Sequence, residues 1–144
     1  MILGLGSDIS DVRRVAKVIE RHGDRFLARV YTDTERARAE RKKNRVETYA
    51  KRFAAKEAAA KALKAPPGMI WQHCWIEKTE WGAPILRTEG TVAREAARQG
   101  IDRWHLSMSH DGGLAMAYVI AESTGSADPE SLGSADPDDA EAVL

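Results

Sequence analysis

The chain has 144 residues, with 22 Lys and Arg balanced by 22 Asp and Glu. That length suits one domain with a modest core, and no apolar run approaches the ~20 residues needed to span a bilayer. Cys74 is the only cysteine, which excludes an intramolecular disulfide and argues against a cysteine-based zinc site.

Ile2 to Leu5 reads as a short buried strand ended by Gly6, and the opening lacks the basic n-region of a signal peptide. The expected compartment is the cytoplasm. Ser10 can cap a helix whose apolar residues Val12, Val15, Ala16 and Ile19 keep helical spacing up to Gly23. Asp24 can cap a shorter piece carrying Phe26, Leu27 and Val30. Thr32 and Glu35 have capping-box spacing and open a very basic stretch. An alanine-rich helix is predicted from about Val46 to Leu63, before Pro66-Pro67-Gly68.

The period then changes. Cys74 to Glu80 and Ile85 to Arg87 read as strands around a turn at Trp81-Gly82-Ala83-Pro84. Thr91 to Gln99 reads as a helix closed by Gly100. Trp104 to Ser109 and Leu114 to Ala121 form a second strand pair around His110-Asp111-Gly112-Gly113. Helices mixed with hairpins in this way predict an α+β fold.

Residues 122–144 are different material. They hold seven acids and no Lys or Arg, and Gly125-Ser126-Ala127-Asp128-Pro129 recurs as Gly133-Ser134-Ala135-Asp136-Pro137. Such a segment buries too little apolar surface to offset its ordering entropy, so the reading is a domain over 1–121 and a disordered acidic tail over 122–144. Without the tail, 22 basic residues face 15 acidic ones, a formal net of +7. The body should therefore attract a phosphate ligand, a nucleic acid or an acidic protein.

Three places hold polar residues that a plain core does not need. Asp8 follows two glycines, where a carboxylate can bind a hard cation or cap a turn. Glu57 and Lys61 share one helix face with Phe53 among alanines, placed either for a solvated ion pair or to face a phosphate. Arg52 and Lys56 form an adjacent basic row. Ser109-His110-Asp111 ends a strand pair; without a Gly-x-Ser-x-Gly elbow it is a poor hydrolase triad, and a hydrogen-bonded loop histidine is the plain alternative. The run Arg36, Arg38, Arg41, Lys42, Lys43 and Arg45 is a solvated face, a phosphate site or a docking patch. No aromatic residue is interleaved in it for base stacking, which argues against nucleic acid.

The order of these segments adds what each lacks alone. Gly4-Leu5-Gly6-Ser7-Asp8-Ile9, then Arg52-Phe53-Ala54-Ala55-Lys56-Glu57-Ala58-Ala59-Ala60-Lys61-Ala62, then Gly82-Ala83-Pro84 and Leu106-Ser107-Met108-Ser109-His110-Asp111 resemble the small acyl-carrier-protein synthases of the 4′-phosphopantetheinyl transferase superfamily over roughly residues 1–121. Ser7 stands where that family usually has an apolar residue.

The resemblance implies helices packed on a small, mainly antiparallel sheet. It also implies transfer of phosphopantetheine from coenzyme A to a serine of apo acyl carrier protein, releasing 3′,5′-ADP, in fatty acid biosynthesis. Asp8 and Glu57 would hold Mg²⁺, Lys61 would reach the phosphates, and Glu57 would act as base, directly or through a water. Arg52 would contact the 3′-phosphate, Pro84 would lie along the adenine, and His110 would grip the phosphoadenosine end. Asp111 departs from the family pattern and offers only its backbone NH. Arg14 and Arg21 would receive the acidic helix of the carrier protein, and the assembly would be a homotrimer with sites between subunits. Two alternatives remain at this point: the same chemistry on a carrier domain of a polyketide or fatty-acid synthase, and a non-catalytic relative that binds coenzyme A or an acidic protein.

Overall fold

The computed structural model describes residues 1–125. Its elements, in order, are β1 (Ile2–Asp11), α1 (Val12–His22), α2 (Asp24–Val30), α3 (Asp33–Glu40), α4 (Arg45–Ala62), β2 (Cys74–Lys78), β3 (Pro84–Thr88), α5 (Gly90–Gln99), β4 (Arg103–Asp111) and β5 (Leu114–Glu122). Two antiparallel sheets form, one ordered β1-β5-β4 and one made of β2 and β3. This is the α+β architecture expected from the sequence.

The three-stranded sheet is built around small residues. Ala115, Ala117, Val119 and Ala121 of β5 point to one face and are buried, together with Gly6 and Ser10 of β1. Against that face lies α4, whose Ala54, Ala55, Ala58, Ala59 and Ala62 are fully buried. Residues two apart on a strand share a face, so Gly4, Gly6 and Asp8 all look toward the helix. A β-carbon at Gly4 would fall 2.1 Å from the Ala62 carbonyl oxygen. Glycine on the strand and alanine on the helix thus let two backbones nearly touch.

Local signals account for most boundaries. Thr32 and Glu35 form the expected capping box at the start of α3. The tight β4–β5 turn uses Gly112 and Gly113 at φ 58° and 78°, the left-handed conformation such a two-residue hairpin requires. Three expectations change at the N-terminal end. Ile2 and Leu5 are exposed, not buried. β1 runs to Asp11 instead of stopping near Gly6, because Asp8 and Ser10 pair with Ala117 and Ala115 of β5. Asp11, not Ser10, therefore caps α1, accepting a hydrogen bond from the Arg13 backbone at 2.9 Å.

At the other end, β5 extends to Glu122, one residue into the segment expected to be tail. Ser123 and Met1 exchange backbone hydrogen bonds, and Asp102 accepts from Thr124. The acidic repeat beyond residue 125 lies outside the described residues. Among the described residues no helix is long and apolar enough to cross a membrane.

Candidate active site

The close packing of β1 on α4 brings Asp8 to the face that carries Glu57 and Lys61. Lys61 Nζ donates to the Ser7 carbonyl at 2.8 Å and to Asp8 Oδ1 at 3.2 Å. The ammonium is half exposed, whereas Asp8 is only 17% exposed. Asp8 and Glu57 line a cavity of about 250 Å³ with Phe26, Phe53, Val15 and Arg14. Burial pushes the Glu57 carboxyl above its usual range, and the negative charge of Asp8 pushes it further, with Lys61 opposing both. The solvated Glu57–Lys61 pair is therefore not what the helix spacing serves; Lys61 turns to the strand.

This donor set suits a hard cation. Two carboxylates from separate elements converge at the rim of a cavity, and one is held in an environment that penalises its charge. A divalent ion bound through one or two carboxylates, with its remaining sites left for water and phosphate oxygens, is the ordinary habit of Mg²⁺. Among the described residues no group of three His, Cys, Asp or Glu is clustered for a metal.

A second cavity, of about 120 Å³, opens beside the N-terminal half of α4. Arg38, Lys42, Lys51, Arg52 and Lys78 line it, with Asn44 and Thr48. Arg52 is buried, and its Nε and Nη2 make no hydrogen bond among the described residues. Burial pulls its guanidinium below the usual range; Glu35 opposes this and Arg38 reinforces it. Lys78 is likewise lowered, first by burial and then by the charges of Lys51, Arg52, Arg38 and Lys42. Five cations around one small cavity repel one another and gain from an anion.

The basic run now divides. Arg36 pairs with Asp24 at 2.8 Å and Arg45 with Glu40 at 2.7 Å, while Arg38 and Lys42 face the cavity. Pro84 begins β3 as the cross-strand partner of Lys78. His110 sits apart from Asp8 and Glu57 within the chain: its Nε2 lies 3.5 Å from Glu47 Oε1, at the first turn of α4. Ten residues of helix separate Glu47 from Glu57, about 15 Å. Arg14 and Arg21 are both exposed on α1, and Arg14 also borders the Asp8 cavity.

Sequence reading missed three participants. Lys56 is not a surface cation: it is fully buried and pairs with Glu35 at 2.7 Å. Glu35 serves the capping box and this ion pair together. Lys78 carried no signal of its own, being one lysine in a strand. A hint for Lys56 was available, because alanines flank it on a helix too small-sided to be wholly solvated.

Comparison with known proteins agrees with this architecture. The family model described as "4'-phosphopantetheinyl transferase superfamily" matches residues 4–119. A holo-[acyl-carrier-protein] synthase of Kocuria rhizophila is 52% identical over 129 residues, covering 89% of this chain and 99% of that protein. The crystal structure of holo-[acyl-carrier-protein] synthase from Neisseria meningitidis superposes with a TM-score of 0.77 at 32% identity, covering 85% of this chain and 99% of that one. The Bacillus anthracis holo-(acyl-carrier-protein) synthase, solved in complex with CoA (3′,5′-ADP), gives 0.70 at 33% identity, covering 86% and 99%. The chain belongs to the 4′-phosphopantetheinyl transferase superfamily.

Proposed function

We propose that this protein is a Mg²⁺-dependent holo-acyl-carrier-protein synthase, moving 4′-phosphopantetheine from coenzyme A to a serine of apo acyl carrier protein in the cytoplasm, for fatty acid biosynthesis. The observation that carries the reading is the convergence of Asp8 and Glu57 at one cavity, with Lys61 paired to Asp8 and a separate cluster of five cations beside the N-terminal half of α4.

Asp8 and Glu57 would hold Mg²⁺, which when bound neutralises charge on the diphosphate and on the departing 3′,5′-ADP. Lys61, already 3.2 Å from Asp8, adds a mobile point charge toward the same phosphates. The carrier serine hydroxyl attacks the β-phosphorus, its proton passes to Glu57, and the bond to the 3′,5′-ADP oxygen breaks. Glu57 lines the Asp8 cavity, where it can take that proton directly or through a water. Arg52, Arg38 and Lys42, which line the cation cavity, would receive the 3′-phosphate, and Pro84, across from Lys78, would border the nucleoside. In such phosphoryl chemistry positioning and charge stabilisation supply most of the rate.

Arg14 and Arg21 would receive the acidic carrier. Arg14 suits the task because it stands between the exposed face of α1 and the Asp8 cavity. The assembly would be a trimer. Leu5, Ile9, Leu114 and Tyr118 are 65%, 63%, 45% and 50% exposed on the sheet face opposite α4, an apolar surface that a second copy can cover. Across such an interface His110 would serve a neighbouring subunit's nucleotide.

The test is release of 3′,5′-ADP from coenzyme A in the presence of apo carrier protein. Release should require both substrates, stop on chelation and return with added Mg²⁺. Release that is indifferent to chelation would contradict the metal assignment.

A further inference from the structure

One buried carboxylate joins the three elements that supply the cation cavity. Glu35 is 2% exposed on α3. Its Oε1 accepts from the Thr32 backbone at 3.1 Å and pairs with Lys56 of α4 at 2.7 Å. Its Oε2 accepts from the Ile76 backbone of β2 at 3.2 Å and stands 4.0 Å from Arg52 Nε. Each of these elements then delivers a cation nearby. Arg38 follows Glu35 by one helical turn, Arg52 lies one turn before Lys56, and Lys78 is on the same strand face as Ile76.

The distances divide the carboxylate's work unequally. Lys56 receives a short, charge-assisted contact and two backbone carbonyls besides, from Val30 at 2.7 Å and Trp71 at 3.2 Å. Arg52 receives only the 4.0 Å approach, near enough to orient the guanidinium and too long for a hydrogen bond. Its positive charge on the cavity wall thus stays largely unneutralised. A hub that satisfied Arg52 would compete with the incoming anion; this one aims it and leaves it wanting.

We propose that Glu35 is a positioning residue: by registering α3, α4 and β2 it holds Arg38, Arg52 and Lys78 convergent, and so sets the preference for a 3′-phosphorylated coenzyme over the dephosphorylated one. This rests on the reading of the cavity as the 3′-phosphate site. Glu35, itself buried, acts through the three cations.

The experiment compares kcat and KM for coenzyme A and 3′-dephospho-coenzyme A in the full chain and in Glu35→Gln. Wild type should prefer coenzyme A. Glu35→Gln should lower that preference roughly tenfold, through KM for coenzyme A, with kcat within about twofold for either substrate. Tyr31→Phe is the control for looseness: it removes a neighbouring buried hydrogen bond, to the Tyr49 carbonyl at 2.8 Å, without touching the cavity. It should lower Tm and keep the preference. If Glu35→Gln does not accumulate as folded protein, Glu35→Asp, which keeps the charge and retracts it by one methylene, should show a smaller loss of the same kind. A retained preference in the folded Glu35 variant, or an equal loss in Tyr31→Phe, overturns the positioning role alone. A wild type without any preference overturns the 3′-phosphate reading with it.

Discussion

A β-carbon on Gly6 would lie 1.8 Å from the carbonyl oxygen of Ala58, closer than any side chain can be accommodated. The strand that carries Asp8 is therefore seated directly on the helix that carries Glu57. Gly6→Ala must push β1 away from α4, and overpacking of this kind costs about 3 kcal/mol. Gly112→Ala, with open space around it and φ 58°, should cost only about 1 kcal/mol of backbone strain. Urea denaturation of the two variants measures the difference, and Gly6→Ala should lose transfer activity along with stability.

The proposed metal ligands should behave differently from a structural pair. Asp8 and Glu57 repel each other, and burial first, then that repulsion, raise the Glu57 carboxyl. Asp8→Asn and Glu57→Gln should each lower kcat by at least about a hundredfold while the Tm stays within a few degrees of wild type. Near-normal turnover in either variant with Mg²⁺ present would remove that residue from the site.

Most of the architecture was legible because glycine, alanine and proline mark it locally. The Thr32–Glu35 box, the Gly112-Gly113 turn and the helix break before Pro66 each follow from one or two residues. Asp8, Glu57 and Lys61 stood out for the same reason, being polar positions among small ones. What stayed hidden depended on distance in sequence. That Glu35 pairs with Lys56 and binds the Ile76 backbone cannot be read from any short window, since three elements meet there only after folding. Nor did spacing along the basic run tell Arg38 and Lys42, which face the cavity, from Arg36 and Arg45, which are paired to acids elsewhere.

Docking should be electrostatic and salt-sensitive. Arg14→Glu should raise KM for the carrier protein at least about fivefold and that for coenzyme A much less, and the wild-type carrier KM should climb with salt. Equal effects on both substrates would place Arg14 in the nucleotide site instead.

Alkaline stability follows from buried acids: burial raises the Tyr31 hydroxyl well above its ordinary range, and Cys74 and Tyr49 are raised as well. Burial pushes the Cys74 thiol from 9.0 up to about 12, and burial, with the Glu40 carboxylate, pushes the Tyr49 hydroxyl from 10.0 up to about 12. Both folded values are raised, so both contributions are complete below pH 9. Above it the unfolded chain gives up protons that the folded chain keeps, and stability falls until pH passes about 12. Each group contributes at most ~1.4 kcal/mol per pH unit. Unfolding free energies measured between pH 8 and 11 should therefore begin to fall near pH 9 in wild type and nearer pH 10 in Cys74→Ala. Parallel curves for the two proteins would count against the buried-thiol contribution.

Group transfer is read directly by the mass of the acceptor. Apo acyl carrier protein incubated with coenzyme A, Mg²⁺ and this protein should gain one phosphopantetheine group, located by fragmentation on a single serine. The gain should be absent with Asp8→Asn and absent when the acceptor serine is replaced by alanine. A carrier protein whose intact mass is unchanged after incubation with the folded wild-type chain would contradict the account.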